Sequence, residues 1–172
     1  MNEIMKPDQT AARLLAVANE EQAIGGAHVS QLVRGYVKFG SGGVVERRLG
    51  KVTDGFVMPD RGELGDLNEN QWEKDAGGKP RDPWSERWIL PLEHLETRDL
   101  ALFETGSDGG IRAIRKLCGS CGRNPRRGSP IIRLVPSSYK NKNYGPIGIP
   151  DLKIVGWEPP PETIGLPDAP IK

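Results

Sequence analysis

The sequence predicts a mainly β protein with one central helix, an α+β chain. Three observations carry this. The 172 residues include 22 Gly and 15 Pro, which favours short elements joined by turns over long helices. Apolar residues between positions 31 and 58 and again between 87 and 105 fall in short runs bounded by Gly, Pro or polar turns, the mark of strands. Inside that pattern one segment, from Ser107 to about Cys118 or Cys121, has helical spacing. The expected domains are an N-terminal arm over residues 1–28, one β-rich domain over 29–158 with an irregular insert at 59–86, and a Pro-rich tail over 159–172.

Taken in order, Pro7 to Ile24 can form a helix, with Leu14, Leu15, Ala11 and Ala18 as a thin apolar stripe and Gly25-Gly26 as its stop. Leu32 to Phe39 and Val44 to Leu49 flank Gly40-Ser41-Gly42-Gly43 and read as a hairpin. Val52 to Met58 is a third strand candidate. Residues 59–86 are acidic and lack periodicity. Such a long connection is functional, disordered or packed as a lid. Trp72 and Trp84 are expected to anchor it over the sheet, because free aromatics are costly to leave in water. Arg87–Leu95 and Arg98–Thr105 are the next two strands, with Pro91 at an edge or bulge.

The helix follows, capped by Ser107 or Asp108. Ile111, Ile114, Leu117 and Cys118 share one face, and Arg112, Arg115 and Lys116 fall off it. Pro130–Pro136 is a sixth strand, Ser137–Asp151 a long loop, and Leu152–Trp157 the last strand. A single helix inserted late in an antiparallel β chain resembles, in element order, the OB-fold barrel, whose last long loop commonly contacts nucleic acid. The alternative is an antiparallel sheet with the helix packed on one face.

Charge is strongly segregated. From Gly109 to Pro150 there is no Asp or Glu, while Arg112, Arg115, Lys116, Arg123, Arg126, Arg127, Arg133, Lys140 and Lys142 give nine positive charges. The rest of the chain holds 15 basic and 23 acidic residues. A basic stretch of this kind neutralises phosphates and gains affinity from released counterions. Tyr139 and Tyr144 interleave with Lys140 and Lys142, and aromatics among cations suit single strands, whose bases can stack. No zinc-finger, homeodomain or helix-turn-helix pattern is present to read a duplex groove. The same charge pattern would also suit an acidic protein partner, or an internal match to the acidic residues 60–75.

The remaining motifs carry less. Cys118 and Cys121 are spaced as half of a zinc site, but only His28 and His94 remain to complete it. They also sit near a helix C-terminus, the wrong end to activate a thiol. The plain alternative is that Cys118 is a small core residue. Gly106–Gly110 lacks the phosphate-loop pattern and reads as a helix cap. Asp60, Glu63, Asp66, Glu69 and Asp75 could hold Mg²⁺ in a nuclease, yet no positioned base accompanies them. No cofactor is expected. No apolar run approaches the roughly 18 residues of a membrane span, the first residues lack a secretory h-region, and two cysteines make no disulfide framework. A cytoplasmic location is therefore expected.

Three stretches, Gly77–Trp84, Gly109–Ile114 and Ser138–Gly145 together with Ile154–Trp157, resemble small proteins encoded by bacterial phages and prophages. The resemblance transfers no residue role and implies a setting in phage DNA metabolism. The expectation from these readings together is a non-enzymatic, single-stranded-DNA-binding accessory protein of phage-type replication or recombination. Its contact residues are Arg112, Arg115, Lys116, Arg123, Arg126, Arg127, Arg133, Tyr139, Lys140, Lys142 and Tyr144. The alternative is a structural or host-inhibiting interaction protein using the same basic face. A protein partner could also engage the acidic 60–75 segment or the Pro-rich tail, and a homo-oligomer is compatible with the sequence.

Overall fold

A computed structural model describes residues 24–159 of the chain. The expected N-terminal helix and the Pro-rich tail lie outside the described residues, save for their boundary positions. Seven strands and one helix follow in order: β1 (Ile24–Ala27), β2 (Val33–Gly40), β3 (Gly43–Lys51), β4 (Trp84–Glu93), β5 (Leu100–Thr105), α1 (Asp108–Arg123), β6 (Ser129–Asn141) and β7 (Gly145–Glu158). Every pairing is antiparallel. The sheet therefore begins at Ile24, inside the segment expected to be an arm.

β4 is the axis of the sheet. One of its edges pairs with β2 over Trp84–Ile89 and with β1 over Leu92–Glu93, and its other edge pairs with β5. A single 3-10 turn, Val29–Gln31, separates β1 from β2, so together they act as one interrupted strand. Beyond it the sheet divides. β3 extends β2 on one wing, and β6 with β7 extends β1 on the other. Among the described residues β3, β5 and β7 keep free edges, so the sheet is open and no barrel closes. The antiparallel sheet with a helix on one face is the observed architecture, not the closed OB barrel.

The core lies between α1 and the β5-β4-β1-β6-β7 wing. Trp88, Leu90 and Leu92 alternate inward on β4, and Ile132, Leu134 and Leu152 do so on β6 and β7. Ile111, Ile114 and Leu117 meet them from the helix. Full burial of each such side chain stabilises the fold by about 1.5–3 kcal/mol. Gly110 lets the helix approach β5, because a Cβ there would run into the Thr105 side chain. The Ser107 hydroxyl accepts the Gly110 amide at 3.1 Å and caps the helix, satisfying one of its orphan donors.

Two sequence expectations fail for identifiable reasons. Val52–Met58 is not a strand. Val52–Asp54 forms a 3-10 turn closed by Gly55 at φ 77°, and Thr-Asp-Gly is turn chemistry that outweighs a few β-branched residues. Ser137–Asp151 is not a loop. β6 and β7 pair from Ser129↔Glu158 to Asn141↔Gly145, with one register shift between Ile131 and Ile132 and with Pro136 opposite Pro150. The prolines gave the segment a loop-like appearance, but strands with a free outer edge tolerate missing amide donors.

The insert is ordered, as its tryptophans imply. Arg61 organises it, bonding both oxygens of Asp82 at 2.7 and 2.8 Å and the carbonyl of Gly65. Trp72 Nε1 donates to the Asp66 carbonyl at 2.6 Å, and Trp84 is buried at the head of β4.

Candidate nucleic-acid interface

The distal half of the β6–β7 hairpin is a two-stranded ribbon, exposed at most residues from Pro136 to Gly148. Its tip is built by its own sequence. Asn141 Oδ1 accepts the amides of Asn143 at 2.8 Å and Tyr144 at 3.3 Å, and Gly145 closes the turn at φ 75°. Asn supplies the local acceptor and Gly the left-handed backbone that such a turn requires. Lys140, Lys142 and Tyr144 crown it, with Tyr144 79% exposed and Tyr139 49%. Tyr139 pairs with Ile147 and Lys140 with Pro146, so the ring and the ammonium stem lie on opposite faces of the ribbon.

The ribbon base meets the first turns of α1. A groove of about 320 Å³ opens there, bringing together Arg112, Lys116, Ser137 and Tyr139. Asp108 and Asp151 also line it, and Lys116 Nζ stands 3.8 Å from Asp151 Oδ1. Two cations and two carboxylates leave the groove balanced, so the excess positive charge resides on the ribbon tip beyond it.

The remaining predicted residues do not gather on the same surface. Arg115 lies over the Trp88 ring at 5.3 Å, and Arg34 of β2 lies over the same ring at 5.6 Å. Nothing in the sequence signals that pairing, because only the sheet brings β2 beside α1. Arg123 is exposed in the last turn of α1 and bonds Ser120 Oγ. Arg126 is exposed just beyond the helix, and Arg127 stacks over Trp157 at 6.0 Å. Arg133 sits between the buried Ile132 and Leu134 and pairs with Lys153, so both face away from the helix. Like charges in register repel.

The internal match with the acidic insert is not what the ion pairs show. Among the described residues, Asp66 pairs with Lys38 at 2.8 Å and Arg61 with Asp82 at 2.7 Å. Lys116–Asp151 is the one ion pair among them that involves the 109–150 stretch. A separate cleft of about 340 Å³ between the insert and β2 is lined by Lys38, Arg81, Asp66 and Glu73, so both signs are represented.

Cys118 and Cys121 are free thiols, half-buried and packed against the core. Burial pushes both upward from the ordinary thiol range, and at Cys118 the neighbouring Cys121 adds to the shift. His28 bonds Glu93 at 2.8 Å, and His94 Nδ1 accepts the Thr97 amide. Among the described residues no three His, Cys, Asp or Glu side chains converge as a metal site, and no helix is long and apolar enough to cross a membrane.

Compared with protein-family models, curated proteins and solved structures, the chain matches none of them.

Proposed function

We infer that this protein binds nucleic acid, single-stranded DNA in particular, as a non-enzymatic accessory factor acting in the cytoplasm. The observation that supports this most is the ribbon. It carries Tyr139, Lys140, Lys142 and Tyr144 beyond the core, with no acidic residue between Pro136 and Pro150. The acidic insert, which could have neutralised it, spends its described ion pairs elsewhere. Cations along a projecting ribbon hold a phosphate backbone, and exposed rings beside them offer stacking surfaces that tolerate any base. Arg112 and Lys116 at the ribbon base extend the contact toward α1. A setting in phage replication or recombination belongs to the same proposal and rests on the sequence resemblance.

The test is anisotropy of a labelled oligo-dT titrated with the protein at several salt concentrations. Binding should weaken with salt, with a logarithmic slope of about −0.7 for each phosphate neutralised. The double charge reversal Lys140→Glu and Lys142→Glu should reduce affinity at least about tenfold at low salt, since each lost contact also introduces repulsion. No binding by the unaltered protein at low salt would refute the reading.

A further inference from the structure

A further cleft, of about 250 Å³, opens beside the Arg112–Lys116 groove where β5, the start of α1 and the ribbon base converge. Its walls are mainly apolar: Phe103 from β5, Leu134 and Pro136 from β6, and Ile149 and Pro150 from β7. Ser137 and Ile149 also line the Arg112–Lys116 groove, so the two spaces adjoin. The polar groups on its wall are few. Thr105 Oγ1 and Ser107 Oγ lie 3.2 Å apart, and Glu104, the one charged residue lining it among the described residues, is exposed between the buried Phe103 and Thr105.

We propose that this cleft takes one unstacked base of a single-stranded nucleic acid whose backbone runs along the ribbon. The proposal rests on the nucleic-acid reading above and names what the site holds. Three features select a base as the occupant. The space is smaller than the roughly 300–1,000 Å³ of clefts that enclose drug-sized ligands, so it suits a single planar ring system. A phosphate is disfavoured, because the apolar walls could not solvate it, whereas a base presents N–H donors that the Thr105 and Ser107 hydroxyls can accept. The cations stand outside the cleft: Arg112 and Lys116 line the adjoining groove, and Lys140 lies further along the ribbon on the face that includes Gly148. That arrangement matches a nucleotide with its charge outside and its base within.

Gly148 provides the means to test this. It lines the cleft, and its pairing places it on the same ribbon face as Leu134 and Pro136. A Cβ added there meets no atom within 4 Å. Gly148→Leu should therefore fill the cleft while leaving Arg112, Lys116 and both tyrosines in place. Affinity is measured for oligo-dT and for an abasic backbone of equal length, with the native protein and with G148L. The expected result is a loss of about tenfold for oligo-dT with G148L and no change for the abasic backbone. A second measurement uses only native protein and an oligonucleotide carrying a single 2-aminopurine. Emission should rise as the base leaves its neighbours for a cleft lined by no tryptophan, whereas stacking on a tyrosine would lower it. Equal affinity for oligo-dT and the abasic backbone, or a fall in 2-aminopurine emission, overturns the base cleft and leaves the wider reading standing. Absence of any oligo-dT binding overturns both.

Discussion

The Trp84 indole Nε1 donates to Asp66 Oδ2 at 2.9 Å, and the Lys38 ammonium reaches the same oxygen at 2.8 Å. One carboxylate thus joins the insert to β2 and to the head of β4. Asp66 does so from a left-handed backbone at φ 56°, a conformation that Asp and Asn accept more readily than most residues. Asp66→Asn keeps an acceptor for the indole and tolerates the backbone, whereas Asp66→Ala loses both advantages. Thermal melts should rank native above Asp66→Asn and Asp66→Ala lowest. Equal melting points for the two variants would mean that the indole bond contributes nothing.

Acid should loosen this chain at the same carboxylates. The Lys38 hydrogen bond, then that of Trp84, holds Asp66 below its ordinary range. Burial pushes Asp82 upward, but bonds from the Arg61 guanidinium and the Trp84 amide outweigh it and leave Asp82 lowered. His28, followed by Arg98, lowers Glu93. A carboxylate whose folded pKa is depressed binds fewer protons in the native state. Its contribution is complete above the unfolded value and is lost as pH falls through the folded one. Melting temperature should hold between neutrality and about pH 5 and fall below about pH 4. Asp66→Asn should remove part of that fall, and a pH series of melts checks both.

Two helix glycines should respond in opposite directions to the same change. At Gly110 an added methyl collides with the Thr105 side chain, so Gly110→Ala should destabilise by about 1–3 kcal/mol. Gly119 is exposed on the same helix, and a methyl there makes only an ordinary contact with Arg123 at 3.6 Å. Gly119→Ala should stabilise by about 0.5–1 kcal/mol. Urea unfolding of the two variants distinguishes them directly.

The thiols should be slow nucleophiles in the folded protein. Burial keeps Cys118 and Cys121 protonated at neutral pH, and the thiolate is the reactive form. Iodoacetamide should label them slowly at pH 7 and faster above about pH 9. Urea should restore an ordinary rate at pH 7. Rapid labelling of native protein at pH 7 would contradict the burial argument.

The ribbon rings and Arg133, near the start of β6, separate stacking from bulk charge. Tyr139→Ala and Tyr144→Ala should each cost about 1–3 kcal/mol of single-strand affinity if a base stacks there. Arg133→Glu changes charge by two units toward the start of β6, away from the ribbon tip, and should alter affinity far less than Lys142→Glu. The same anisotropy titration measures all four.

Much of the local structure is legible in the residues alone: the β2–β3 hairpin, the capped amphipathic helix, the β4–β5 pair, and an insert held down by Trp72 and Trp84. Each is written in short-range chemistry, in alternation, 3.6-residue spacing or a turn residue, which neighbours along the chain decide. Charge segregation is equally plain, because composition needs no fold. The rest waits on long-range pairing. Whether Ser137–Asp151 is loop or ribbon depends on which edge its prolines face, and that is known only once β6 and β7 pair. The openness of the sheet follows from the 3-10 break between β1 and β2, which splits one edge of β4 between two wings. The nine cations lie close in sequence, yet the fold sends Arg133 to one side of the sheet, Arg115 onto Trp88 and Lys142 to a ribbon tip. Alternation in a strand and rotation about a helix send near neighbours in different directions, so a basic stretch in sequence need not be a basic surface in space.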